Sequence, residues 1–196
     1  MRNYICLQKL SLMKSLQKTV ALIGFQSSGK TTLGRLLANV WQCKFVDIDH
    51  CVELFHPPLL KSDIFRIFGE VYFRQLESQV IQTLNEELPY VLATGGGSLL
   101  QQANREKLKE MSCLVYLQTS PSLLKERIWN RPSLPSYLSS DHPNEAFDCI
   151  YKERSPIYEK WADITIDMDR LTPEQALSTL VDLLEKSVVF SQLKES

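Results

Sequence analysis

Short apolar runs alternate with longer amphipathic stretches along most of the chain. Thr19-Val20-Ala21-Leu22-Ile23 is β-branched and apolar and reads as a buried strand, and Leu33, Leu36, Leu37 and Val40 follow it at helical spacing. Lys44-Phe45-Val46-Asp47-Ile48-Asp49 reads as a second strand, ending in two carboxylates. Ser62 to Gly69 predicts a short helix closed by its glycine, and Glu70 to Leu88 a longer one that stops before Pro89. Tyr90 to Thr94, Cys113 to Leu117 and Asp163 to Ile166 read as three further strands. Helical patterns occupy Asn104 to Met111, Pro121 to Asn130 and Glu145 to about Lys160. Thr172-Pro173-Glu174 opens a last helix with an N-cap hydroxyl, a proline in the first turn and an acid. Strands alternating with helices predict an α/β fold: three layers around a parallel sheet. Arg131 to Asn144 breaks the rhythm, with serine and proline at half its positions, and reads as a loop.

Composition narrows this only slightly. The 196 residues fit one domain, taken as 18–187, between an N-terminal tail over 1–17 and a C-terminal tail over 188–196. A formal net charge of −1 gives no global attraction to nucleic acid or membrane, so neither is expected as a partner. No stretch approaches the roughly 18 apolar residues of a membrane span. The first seventeen residues carry Arg2, Lys9 and Lys14, no acid and no continuous apolar core, which reads as a tail rather than a targeting peptide. The five cysteines are odd in number and show no C-x-x-C spacing, as expected of reduced thiols in a cytoplasmic protein.

The chemistry begins directly after the first strand. Gly24-Phe25-Gln26-Ser27-Ser28-Gly29-Lys30-Thr31-Thr32 is G-x-x-x-x-G-K-T in a strand–loop–helix context. Such a loop turns successive backbone N–H groups toward a phosphate, aided by the positive end of the following helix. Lys30 adds a cation for the terminal phosphates, and the Thr31 hydroxyl suits a Mg²⁺ ligand. The run therefore predicts a nucleoside triphosphate site.

Four other features sit where a partner for that site is needed. Asp47 and Asp49, one residue apart at a strand end, are expected to share a face and to serve a divalent cation or a substrate hydroxyl. Arg74 and Glu77 lie three apart on a helix, within reach of each other. Gly95-Gly96-Gly97 follows a buried strand and leaves room for a substrate to approach the main chain. Arg127, Arg131 and Arg154 sit in or beside the serine- and proline-rich loop, where arginines can close over a transferring phosphate.

Taken in order, these blocks resemble one family. G-x-x-x-x-G-K-T, Phe45-x-Asp47-x-Asp49, Ile64-Phe65-x-x-x-Gly69-Glu70-x-x-Phe73-Arg74-x-x-Glu77, Gly95-Gly96-Gly97, Arg131-Pro132 and Arg154-x-Pro156-x-Tyr158 are similar to shikimate kinase from about Lys18 to Leu184. The resemblance implies a P-loop kinase fold with a five-stranded parallel sheet, a substrate-binding segment over about 50–80 and a lid over about 131–144. It implies transfer of the ATP γ-phosphoryl group to the 3-hydroxyl of shikimate, as a step of aromatic amino acid (chorismate) biosynthesis, by a monomer. On this resemblance Gly24, Ser27, Ser28, Gly29, Lys30, Thr31, Thr32, Arg127 and Arg131 bind ATP, with Lys30, Asp49 and Arg131 catalytic. Thr31 and Asp47 hold Mg²⁺. Asp49, Arg74, Gly95, Gly96, Gly97 and Arg154 contact shikimate, and Glu77 orients the arginines. The chain departs from the family pattern at Ser133-Leu134-Pro135-Ser136, at Phe25 to Ser28 and at His56-Pro57-Pro58. The alternatives are another small-molecule kinase of this fold, such as a gluconate kinase, and a nucleotide-binding regulatory module without catalysis.

Overall fold

The computed structural model describes residues 19–85, 89–132, 134–138 and 141–194. The tail expected over 1–17 lies outside them, and the helix expected to reach Leu88 ends at Gln82, capped by Thr83. Five parallel strands are present: β1 (Thr19–Ile23), β2 (Phe45–Asp47), β3 (Val91–Ala93), β4 (Ser112–Gln118) and β5 (Ile164–Asp167). They lie side by side in the order β2-β3-β1-β4-β5. β1 is thus central, with Leu22 level with Ala93 on one side and Val115 on the other. The loop that leaves β1 emerges where successive connections depart to opposite faces, the position at which such sheets bind ligands.

Alternation along the strands builds the layers. Ala21 and Ile23 of β1, Leu92 of β3 and Leu114 and Tyr116 of β4 point to one face, with Val20, Leu22, Val91, Val115 and Leu117 pointing to the other. On the second face, α1 (Lys30–Trp41) contributes Leu33, Leu37, Ala38 and Trp41, and α7 (Pro173–Lys194) contributes Ala176, Leu180, Val181 and Leu184. The first face receives α2 (Ile48–Glu53), α3 (Lys61–Gln82), α4 (Gln102–Met111), α5 (Pro121–Trp129) and α6 (Pro143–Trp161). Complete burial of a leucine such as Leu22 or Leu37 contributes about 1.5–3 kcal/mol. With so many apolar positions closed on both faces, the layers are fixed by burial.

Helix ends follow local chemistry. Thr172 Oγ1 accepts from the Gln175 N–H at 3.2 Å and Gln175 Oε1 accepts from the Thr172 N–H at 2.9 Å, a reciprocal cap that starts α7. That helix continues to Lys194, past the boundary at 187 drawn from sequence. The helices expected over Ser62–Gly69 and Glu70 onward run together as α3, broken at Gly69, whose φ of 83° and ψ of 169° are not helical. Gly69 therefore separates two helical halves, as its position in the pattern suggests. Among the described residues of the serine- and proline-rich segment a 3₁₀ turn forms at Ser136–Leu138.

Candidate active site

The loop from β1 to α1 is held by contacts from behind as well as by its own turns. Gly29 is the N-cap of α1 at φ 101°, so the first-turn N–H groups open onto the loop. Ser27 adopts φ 66°, costly for a residue with a Cβ, and Arg127 of α5 donates Nη1 to its carbonyl at 3.2 Å. Lys30, only 8% exposed, donates to the carbonyls of Gly24 at 2.9 Å and Phe25 at 2.6 Å and to Ser28 Oγ at 3.5 Å. Burial pushes its pKa down to about 8, while the negative charge of Asp49 pulls upward.

The two aspartates do not share a strand face. β2 ends at Asp47, whose Oδ1 accepts from the Asp49 N–H at 3.1 Å and starts α2, so Asp49 lies in the first helical turn. The capping bond ends the alternation on which the sequence argument relied. Asp47 Oδ2 accepts from Thr31 Oγ1 at 2.9 Å, and Asp49 faces the cavity with its Oδ2 bonded to Lys61 Nζ. Two oxygens from Thr31 and Asp47 side by side suit a hard cation that takes its remaining ligands from water and phosphate.

The opposite wall is built on the triple glycine after β3. Arg74 Nη1 donates to Glu77 Oε2 at 2.7 Å, and Glu77, 1% exposed, also accepts from Ser98 Oγ at 2.6 Å. The pair is a buried one, unlike the surface ion pair that spacing alone suggests. Burial opposes the charge of Arg74, yet Glu77 and Glu70 outweigh it and raise its pKa. A Cβ at Gly97 would overlap the Arg74 guanidinium, and one at Gly95 would overlap Glu77 Oε1 and lie 2.9 Å from Asp49 Oδ1. Gly95 and Gly97 thus make room for charged side chains of the protein itself.

Arg154 of α6 approaches the same turn from the other side. Its Nη1 donates to the Gly96 carbonyl at 3.2 Å, and the Tyr158 hydroxyl donates to the same oxygen. The Arg154 guanidinium carbon lies 5.9 Å from the Phe25 ring centre and 5.6 Å from that of Tyr137. Burial raises the Tyr137 hydroxyl to about 12, although Arg154, Arg131 and Arg74 all pull it down.

One cavity of about 340 Å³ joins the phosphate loop to this wall. The charged side chains lining it are Lys30, Lys61, Arg74, Arg131 and Arg154 against a single carboxylate, Asp49. A chain of formal charge −1 has therefore gathered five cations at one opening. Ser27, Gly29, Thr31, Thr32 and the three glycines also line it. Gly24, Ser28, Asp47, Glu77 and Arg127 stand behind, supporting residues that do.

The family model for shikimate kinase matches residues 26–185. The chain belongs to the shikimate kinase family. A shikimate kinase from Aromatoleum aromaticum is 41% identical over 154 residues, covering 79% of this chain and 87% of that one. The solved shikimate kinase from Acinetobacter baumannii in complex with shikimate matches with a TM-score of 0.79 and 32% identity, over 88% of this chain and 96% of its own. A gluconokinase from Sinorhizobium meliloti shares the fold alone, at a TM-score of 0.54 and 19% identity over 90% of this chain and 97% of its own. As a shikimate kinase family member the chain is an ATP-dependent phosphotransferase.

Several residues of this kinase's site carried no role in the sequence reading. Lys61 and Ser98 touch Asp49 and Glu77 directly. Tyr158 and Phe73 belong to the motif blocks, and the structure supplies their purpose: Tyr158 bonds the Gly96 carbonyl, and the Phe73 ring lies 5.4 Å from the Arg74 guanidinium carbon. Tyr137 had no signal beyond its place in the serine- and proline-rich loop. Among the described residues no group of three His, Cys, Asp or Glu side chains could hold a metal unaided. Cys43, Cys51, Cys113 and Cys149 form no disulfide, and Cys6 lies outside the described residues. No helix among the described residues is long and apolar enough to cross a membrane.

Proposed function

We propose that the phosphate loop and the triple-glycine wall divide the labour of transferring the ATP γ-phosphoryl group to the 3-hydroxyl of shikimate. The observation that carries this assignment is the single cavity with phosphate-loop donors at one end and two glycine-seated arginines at the other. The loop N–H groups and Lys30 take the β- and γ-phosphates, and Arg131 approaches them from the end of α5. Thr31 Oγ1 and Asp47 Oδ2 would hold Mg²⁺, which would offset the charge of the phosphates. Arg127 supports the nucleotide end through Ser27. Arg74 and Arg154 bind the shikimate carboxylate, a planar anion suited to guanidinium forks, and Glu77 fixes the orientation of Arg74. Gly95, Gly96 and Gly97 bring the main chain close to the sugar-like ring.

Asp49 orients the acceptor. The 3-hydroxyl oxygen forms the new bond to the γ-phosphorus, and the bond from that phosphorus to the bridging oxygen breaks. The electron pair leaves with ADP, and the hydroxyl proton passes to the Asp49 carboxylate. All of these groups come from one chain, so the monomer suffices. The test is turnover with ATP, Mg²⁺ and shikimate, with the product identified as the 3-phosphate by phosphorus NMR. Turnover of gluconate with none of shikimate would overturn the assignment.

A further inference from the structure

The contact between Lys61 and Asp49 has no counterpart in the roles given above. Lys61 is the first residue of α3, and its backbone N–H donates to Glu53 Oε1, at the end of α2, at 3.0 Å. Its side chain returns to Asp49 in the first turn of α2. The residue thus spans α2 from end to end and closes the loop between the two helices. A cation at this position works against the helix dipole, whose positive end lies at the N-terminus, so the stability of α3 does not account for it. Nor is it a pair on the outer surface: Lys61 lines the cavity, and the side chains of Lys61 and Asp49 are 38% and 23% exposed.

The surroundings show what the contact accomplishes. Asp49 raises the pKa of Lys30 and Lys61 lowers it, so the carboxylate stands among two cations that both feel it or each other. Lys61 takes Oδ2 of Asp49, and Oδ1 lies on the side of Gly95. A carboxylate free to rotate presents either oxygen, and a donor on one of them selects the other.

We propose that Lys61 is a positioning residue: it holds Asp49 by Oδ2 so that Oδ1, beside Gly95, meets the acceptor hydroxyl. This rests on the role given to Asp49 above. Its effect is on alignment, so it belongs in turnover rather than in nucleotide affinity.

The experiment is a double-mutant cycle on the full chain, using Lys61→Met, Lys61→Arg, Asp49→Asn and the Lys61→Met/Asp49→Asn pair. Steady-state turnover is measured with shikimate and Mg·ATP, and thermal unfolding is followed for each variant. Lys61→Met is expected to lower kcat by about 10- to 100-fold with the KM for ATP unchanged, because misplacement of one reacting group costs rates of that order. Lys61→Arg, which keeps the donor, should recover most of the loss. In the Asp49→Asn background Lys61→Met should cost almost nothing further, a non-additivity that a purely structural role does not produce. Lys61→Met at the parent kcat, or an equal loss with and without Asp49, overturns the proposal. Full turnover by Asp49→Asn alone instead removes the role of Asp49 itself, and this inference with it.

Discussion

The two ends of the cavity are made in different ways. The core of the phosphate end is one uninterrupted run, Gly24 to Thr31, whose lysine bonds to carbonyls five and six residues away. The acceptor end draws Asp49 and Lys61 from α2 and α3, Arg74 and Glu77 from farther along α3, the glycines from the turn after β3, and Arg154 from α6. Phosphate is recognised by backbone donors and a helix end, which one short segment can supply. A small carboxylate-bearing ring needs groups on several sides at once, and only tertiary packing brings those together. The phosphate end should therefore depend on few distant residues, chiefly Arg127 behind Ser27 and Asp47 beside Thr31, whereas the acceptor end should fail through any of its supports.

The largest effect that would sharpen this contrast is at Asp49. Asp49→Asn keeps the shape and removes charge and basicity, so kcat should fall by about 10²- to 10⁴-fold. Binding of Mg·ATP, measured by calorimetry, should stay at the parent value. A parallel loss of nucleotide affinity would mean that the two ends are not separable.

Next comes the glycine wall, where the comparison can be broken without touching any charged group. Gly97→Ala pushes a Cβ into Arg74 and should weaken shikimate binding by about 2 kcal/mol or more, roughly 30-fold, with ATP affinity unchanged. At Gly96 the nearest atom to an added Cβ is the Gln26 nitrogen at 3.2 Å, so Gly96→Ala should cost about 1 kcal/mol. Equal effects from the two substitutions, read by fluorescence or calorimetric titration with shikimate, would show that the wall does not work by seating Arg74.

A smaller effect is expected where the two ends meet. Asp47→Asn should raise the Mg²⁺ concentration for half-maximal rate by about 10-fold, because a ligand of the metal shell weakens while Asp49 remains. A Mg²⁺ titration at saturating shikimate checks this. If excess Mg²⁺ rescues Asp49→Asn and not Asp47→Asn, the roles of the two are exchanged.

The smallest is a proton. Below about 8 Lys30 is charged both free and nucleotide-bound; above it, burial favours the neutral amine in the folded chain. Phosphates beside it restore the charge, so ATP binding just above pH 8 should take up a fraction of a proton from solution. For folding the sign is opposite to that of a salt bridge. Between about 8 and the ordinary lysine value of 10.5 the unfolded chain holds more protons at this group, so its contribution to stability rises with pH. Calorimetry in buffers of different protonation enthalpy reads the uptake, which Lys30→Met should abolish.

Much of this organisation was legible in the residues. Strand and helix order, the phosphate loop and the Arg74–Glu77 pairing all follow from periods of two and 3.6 or from spacing along one helix. Asp49 was misplaced because nothing in F-V-D-I-D announces that the strand stops at Asp47 and that Asp47 caps the helix that follows. Lys61 was missed because its partner is twelve residues away across a turn containing Pro57 and Pro58, where no periodicity operates. The glycines were noticed by position, but the packing of Gly95 and Gly97 against Asp49, Glu77 and Arg74 of α2 and α3 is set by the fold. Glu77 illustrates the same limit: spacing predicts its bond to Arg74, but not the burial that makes it a structural anchor.

The Gly96 carbonyl accepts from both Arg154 and Tyr158. A peptide flanked by glycines can rotate its carbonyl through orientations closed to other residues, and it loses the most freedom when fixed. Two donors from one turn of α6 remove that freedom as the chain folds. An arriving acid then meets a surface whose disorder has already been surrendered, and its binding enthalpy is not spent on stilling the loop.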